Sequence, residues 1–369
     1  MKRCGWLLSM MLVLATGCGA SRPAEKSAAA TRPADAAQAT PREVNLLTMG
    51  DIGQVGPGQA RVAAAMEKYV RGAGRSFDAL FTAGDNFYVK FTGVDDPKWR
   101  TMFEDMYNPS VLNFPFYAAL GNHDYEEVTP GGVRKWQIEM DYAKAHPNSR
   151  WKLPAHCYRV DFPGGAEKPL VSVLVLDSYK DQVGEQRWAE QLAWVKEQLD
   201  GPRKSRWIIA VAHHPLFSNG RHGDIGVMQR DFGPLFQKYG VDLYICGHDH
   251  DLQHLEMPGY NMSFLLVGGG GASTRPMQND VRGPFSRATQ GFADLSFTAA
   301  RVVVRYIGVD GSVVHAFERT HGGKVKVLET TPSDRAVPLT VKEITRPDAA
   351  TRRASTTTAT TKRARDSDD

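Results

Sequence analysis

Short, almost unbroken apolar runs recur along this chain, at Val44–Met49, Phe77–Ala83, Pro115–Leu120, Leu170–Leu176, Trp207–Ala212 and Val241–Cys246. Runs of this length and character suit strands covered on both faces. Amphipathic helical patterns fall between them, at Gln59–Val70, Arg134–Ala145, Gln186–Leu199 and Val227–Tyr239. In the third of these, Trp188, Leu192, Val195 and Leu199 share one stripe, and Gly201-Pro202 stops the helix. Alternation of strand and helix predicts parallel βαβ units and an α/β fold.

The pattern changes near residue 263. Ser263–Val267, Phe292–Phe297, Arg301–Ile307 and Ser312–Phe317 are joined by short turns and read as antiparallel strands. They are expected to form a second sheet packed on the first. The folding part spans 43–330, enough for one large domain.

The ends of the chain read differently. Lys2 and Arg3, the apolar run Trp6–Ala15 and small residues before Cys18 make 1–18 an export signal, too short for a comfortable membrane span. Ala15-Thr16-Gly17-Cys18 resembles a lipobox, so the expected product is an exported lipoprotein of the cell envelope or periplasm, held by lipid on Cys18, or else a secreted protein. Residues 19–42, rich in Ala, Ser, Thr and Pro, suit a flexible linker. Residues 331–369 form a C-terminal extension, expected to be disordered from about 346. A net charge of +4 over 369 residues gives no reason to expect nucleic acid as a partner. Of the four cysteines, Cys157 and Cys246 fall in the folding part, where buried free thiols are the expectation and a disulfide is the alternative.

Ligands of α/β sheets gather at the carboxyl ends of the strands. Five such ends carry ligand-type side chains here: Gly50-Asp51-Ile52-Gly53, Gly84-Asp85-Asn86-Phe87-Tyr88, Gly121-Asn122-His123-Asp124, Val211-Ala212-His213-His214 and Gly247-His248-Asp249-His250. Two carboxylates, a phenol, an amide and three imidazoles are too many for one ion. They suit two ions sharing a carboxylate, a pairing that clamps phosphoryl transfer.

In order and residue type these blocks resemble the calcineurin-like metallophosphoesterases, and most closely the small, tartrate-resistant type of purple acid phosphatase. The resemblance implies a two-sheet β-sandwich flanked by helices. It also implies Fe(III) on Asp51, Tyr88 and His250, a second divalent ion (Fe, Zn or Mn) on Asn122, His214 and His248, and Asp85 bridging the two. His123 and His222 match histidines that face the substrate outside the metal ligands, and either would protonate the leaving group. The loop holding His222 is one residue shorter than the related pattern. The implied activity is acid hydrolysis of phosphomonoesters by a metal-activated hydroxide. Alternatives are a divalent-metal phosphodiesterase on the same scaffold and a noncatalytic surface lipoprotein.

Beside these ligands, His213 reads as structural, and His254 as either a neighbour of the ligands or solvent-facing packing. Asp124 and Asp249 either orient ligands or serve their turns. Gly268–Gly271 lacks the Lys and Ser/Thr of a phosphate loop and reads as close backbone approach to the centre.

Overall fold

The computed structural model describes residues 43–334, apart from 127–131, 204 and 279–281. The expected signal (1–18), the linker (19–42) and the tail from 346 lie outside the described residues. In chain order the elements are β1 (Val44–Met49), α1 (Pro57–Gly72), β2 (Ala79–Thr82), β3 (Phe116–Ala118), α2 (Lys135–Ala145), β4 (Trp151–Lys152), β5 (Tyr158–Phe162), β6 (Val171–Val175), α3 (Lys180–Val183), α4 (Glu185–Leu199), β7 (Trp207–Val211), α5 (Gly226–Asp231), α6 (Gly233–Tyr239), β8 (Leu243–Cys246), β9 (Leu252–Leu255), β10 (Ser263–Leu266), β11 (Phe285–Arg287), β12 (Gly291–Phe297), β13 (Arg301–Gly308), β14 (Val313–Thr320) and β15 (Val325–Thr330).

These strands form two mixed sheets with flanking helices, an α/β arrangement. The first runs β15-β14-β13-β12-β1-β2-β3-β4 and the second β11-β9-β10-β8-β7-β6-β5. Leu46, Leu47, Phe81 and Leu295 of the first line one narrow space with Val173, Ile209, Val211 and Ile245 of the second. The buried side chains of both sheets join in a single apolar core. Burying each Val, Leu or Ile of that core stabilises the fold by about 1.5–3 kcal/mol.

The division of strands departs from the sequence expectation. The late antiparallel strands do not make a sheet of their own: β12 pairs with β1, so β12–β15 extend the first sheet. The parallel strands are instead shared out, β1–β4 in the first sheet and β6, β7 and β8 in the second, where β10, expected to be antiparallel, pairs parallel with β8 as well as antiparallel with β9. Apolar runs specify burial on two faces but not which neighbour supplies the hydrogen bonds.

The helical pattern over Val227–Tyr239 is broken at Phe232, which ends α5 and begins α6. Pro234 has no N–H to continue the first helix and stands in the opening turn of the second. On α4 the buried Trp188 lies edge-on to Phe232 and donates through Nε1 to Asp231 at 2.9 Å, docking α4 on the α5–α6 corner. His254 is fully buried, stacked on Phe317 with ring centroids 3.6 Å apart, so it does not face solvent. Cys157 and Cys246 are free thiols. No described helix is long and apolar enough to cross a membrane.

Candidate metal centre

The parallel strands of both sheets end at one place, and the ligand-bearing turns follow β1, β2, β3, β7 and β8 directly. Three non-glycine residues of the described chain have positive φ: Asp51 (58°), Asp85 (50°) and His248 (72°). All three belong to the expected ligand set. Left-handed backbone costs an L-residue energy and persists where the surroundings enforce it. Here it turns each side chain inward at the strand end.

The turns are also packed too tightly for side chains at several glycines, Gly53, Gly84, Gly121, Gly247 and Gly268 among them. A Cβ on Gly247 would overlap Asp51 Oδ2, and one on Gly268 would overlap the Asp249 carbonyl and lie 2.8 Å from Asp51 Oδ2. The stretch from Gly268 is therefore a close backbone approach to the centre, as its sequence implied.

Two groups of lone-pair atoms result. In the first, Tyr88 Oη lies 3.1 Å from Asp51 Oδ1, 3.3 Å from Asp85 Oδ2 and 3.2 Å from His250 Nε2. His250 Nδ1 is engaged with the Ser273 carbonyl at 2.9 Å, which fixes the tautomer and leaves the Nε2 lone pair facing the group. One phenolic hydrogen can serve only one of three acceptors, so the arrangement calls for a cation. Burial and the Asp51 and Asp85 carboxylates hold the Tyr88 phenol far above its ordinary range unless positive charge compensates them.

In the second group, His213 Nε2 lies 3.0 Å from Asn122 Oδ1, 3.2 Å from His248 Nδ1 and 3.3 Å from Asp85 Oδ2. His213 Nδ1 donates to the Ala83 carbonyl at 2.9 Å, so in the neutral ring Nε2 carries the lone pair that a metal could take. Burial opposes charge on His213, yet Asp85 outweighs it and raises the imidazole to about 9. The cluster thus draws a proton to the point where a metal cation would serve. Asp85 Oδ2 belongs to both groups.

His213, read from the sequence as structural, is therefore aimed into the centre. His214 stands beside it, with Nδ1 on Ser178 Oγ at 2.9 Å and its ring 4.6 Å from that of His248. The three histidines have ligand atoms within 4.8 Å of one another, as do Asp51, Asp85 and His213. Adjacent histidines leave the backbone on different sides, and sequence alone does not say which side faces the metals.

The two outer histidines differ in their partners. The His123 ring lies over Tyr88 with centroids 4.4 Å apart, its Nε2 3.9 Å from Asp85 Oδ2 and its Nδ1 2.7 Å from Glu126 Oε1. Burial disfavours charge on His123, but the Glu126 hydrogen bond and Asp85 prevail and raise its pKa. His222 lies over His248 with centroids 4.1 Å apart, and its Nε2 is 2.8 Å from an Arg275 guanidinium nitrogen. A guanidinium only donates, so this Nε2 is an acceptor and carries no hydrogen. Burial lowers the pKa of His222, and Arg275 adds to the effect.

Behind the ligands, Asp124 accepts the backbone N–H groups of Gly121 at 2.8 Å and Asn86 at 3.0 Å, locking two ligand turns together. Burial and Asp85 push Asp124 up to about 6. Asp249 accepts from the His222 N–H at 3.0 Å and from the Ser218 hydroxyl. Both aspartates thus fix backbone rather than touching a ligand side chain. Sequence reasoning passed over Glu126, Lys135, Ser178 and Arg275, none of which belongs to a recurring block.

Comparison with known proteins agrees with this geometry. The family model for calcineurin-like phosphoesterases matches residues 44–252. Tartrate-resistant acid phosphatase type 5 of Rattus norvegicus is 32% identical over 211 residues, 52% of this chain and 61% of that protein, so the chain spans about three fifths of that relative's length. Purple acid phosphatase 17 of Arabidopsis thaliana is 30% identical over 296 residues, covering 74% of this chain and 83% of the relative. The structure of a purple acid phosphatase from yellow lupin (Lupinus luteus) seeds superposes with a TM-score of 0.57 at 17% identity, over 76% of this chain and 54% of that one, a likeness of fold. The ligand-bearing strand ends and the sequence match together make the chain a member of the calcineurin-like phosphoesterase family, on the branch of the purple and tartrate-resistant acid phosphatases.

Proposed function

We propose that this protein is a binuclear, metal-dependent acid phosphatase acting on phosphomonoesters. One observation carries the reading: Tyr88 Oη meets Asp51 Oδ1, Asp85 Oδ2 and His250 Nε2 at 3.1–3.3 Å. A phenolate is a hard anionic donor suited to a ferric ion. The donor set therefore fits Fe(III) on Asp51, Tyr88 and His250. Asn122, His248 and His213 fit a divalent ion (Fe, Zn or Mn), with Asp85 shared. For this third ligand the geometry favours His213 over the His214 expected from sequence. The Nε2 of His213 lies 3.0 Å from Asn122 Oδ1 and 3.3 Å from Asp85 Oδ2, and among the described residues no hydrogen bond or ion pair joins His214 to either.

Two ions held here would supply Lewis acidity toward phosphate oxygens and would acidify water. The remaining work falls to the chain. His123 keeps Nδ1 on Glu126 and directs Nε2 inward, so a proton held on Nε2 can pass to the leaving alkoxide while Glu126 stabilises the charged ring. His222, whose Nε2 accepts from Arg275, orients substrate and supplies no proton from that atom. The basic start, apolar run and Cys18 of the N-terminus support export as a lipoprotein, with membrane contact through that lipid alone.

The test is metal analysis with a visible spectrum, alongside turnover of a phosphomonoester and a phosphodiester. Two metals per chain, a charge-transfer band lost in Tyr88→Phe, and monoester preference are expected. Diester preference without the band would instead favour the divalent phosphodiesterase. Absence of both bound metals would leave the noncatalytic reading.

A further inference from the structure

We infer that Arg275 is a specificity-determining residue, taking a second anionic group of the substrate beyond the phosphate handled at the metal centre. The inference rests on the phosphatase reading and refines it.

Arg275 sits on the segment that leaves β10, and that segment is tied to the centre on several sides. Ala272 N donates to the Asp51 carbonyl at 2.9 Å, and the Ser273 carbonyl accepts from His250 Nδ1 at 2.9 Å. Ser273 N donates to Gln54 Oε1 at 2.7 Å, and Gln278 N to the Asn219 carbonyl at 3.2 Å. The segment cannot shift without disturbing Asp51 and His250, so the backbone that carries Arg275 is held in place, and His222 Nε2 receives its guanidinium.

Arg282 pairs with Asp224 at 2.6 Å. Arg275 is half-buried, and among the described residues its polar partner is the His222 ring nitrogen, at 2.8 Å. A neutral imidazole occupies one of five N–H donors and balances none of the charge. A planar fork with donors to spare is suited to bidentate capture of carboxylate or phosphate.

Position decides which anion. The His222 ring stands between Arg275 and the centre, 4.1 Å from the ring of His248 on one side and in contact with Arg275 on the other. A group on Arg275 therefore lies outside the scissile phosphate. The substrates selected are phosphate esters or anhydrides carrying a further phosphate or carboxylate. Arg221, next in sequence to His222, is exposed and carries the same charge. It separates specific capture from a general positive field.

The experiment compares kcat/KM for ADP and for phosphoglycolate with that for p-nitrophenyl phosphate, using metal-replete wild type and the Arg275→Gln, Arg275→Lys and Arg221→Gln variants. For at least one two-anion substrate, Arg275→Gln should lower the ratio to p-nitrophenyl phosphate roughly tenfold or more, chiefly through KM. Arg275→Lys should recover part of it, and Arg221→Gln should leave the ratio in place. Whichever substrate responds tells whether the second group is phosphate or carboxylate. An unchanged ratio for both in Arg275→Gln and Arg275→Lys, or an equal fall in Arg221→Gln, overturns the assignment while leaving the phosphatase reading intact. Wild type that holds two metals yet turns over none of the three substrates overturns both.

Discussion

Lys135 Nζ, fully buried on α2, donates to the carbonyl oxygen of His123 at 2.9 Å. The same ammonium reaches Glu126 Oε2 at 3.1 Å, while Glu126 Oε1 holds His123 Nδ1 at 2.7 Å. One buried charge thus fixes both the backbone and, through Glu126, the ring of the outer histidine. Glu126→Ala should slow hydrolysis of esters with poor leaving groups roughly tenfold to a hundredfold. Esters of p-nitrophenol, whose leaving group needs little protonation, should slow less, and Glu126→Gln should fall between. Lys135→Met should destabilise the fold by about 2–4 kcal/mol in urea titrations, because the carbonyls of His123 and Phe87 both lose a donor. Equal slowing of good and poor leaving groups in Glu126→Ala would remove this role.

His213 and His214 make opposite predictions for metal content. His213→Ala should lose close to one metal per chain, since its Nε2 lies among Asn122, His248 and Asp85. His214→Ala should keep both metals, with a smaller effect through Ser178. Elemental analysis of dialysed protein decides it, and the reverse pattern would return the ligand role to His214.

Gly268→Ala tests the close approach at the end of β10. Its Cβ would meet the Asp249 carbonyl and Asp51 Oδ2, neither of which can withdraw without moving a ligand turn. A cost of about 1–3 kcal/mol in stability is expected, together with weaker binding at the Tyr88 side of the centre. Retention of a full charge-transfer band and an unchanged denaturation midpoint would count against the packing account.

The buried His315 should make the fold acid-sensitive. His315 Nε2 lies 2.9 Å from His254 Nδ1, and its ring stacks on Phe285. Burial, aided by His254, lowers His315 to about 2. The folded ring is then neutral, while the unfolded chain takes up a proton below about 6.5, so stability falls as pH drops through that value. The loss approaches about 1.4 kcal/mol per pH unit on the acid side. His315→Gln should flatten this limb between pH 6.5 and 4.5 in urea titrations compared across pH. An unaltered slope would show that other groups set it.

Much of the candidate centre was legible because its expected ligands are local. Asp51, Asp85, Asn122, His248 and His250 each follow a strand within a few residues, and glycines mark the turns. His213 was misjudged for the same reason that it is informative. Two adjacent imidazoles carry identical local signals, and only the contacts of His213 Nε2 with Asn122 and Asp85 tell them apart. Glu126, Lys135 and Arg275 were invisible as site residues because their partners lie across loops or on a helix.

The sequence by itself determined most of the longer elements and the ligand-type residues that follow them, since period and residue type are properties of short segments. The tertiary structure alone decided how strands were divided between the sheets, which of two neighbouring histidines faces Asn122 and Asp85, and which charge stands beside each outer histidine. Those choices depend on which residues meet across tens or hundreds of positions, where hydrogen bonding and burial act through space rather than along the chain.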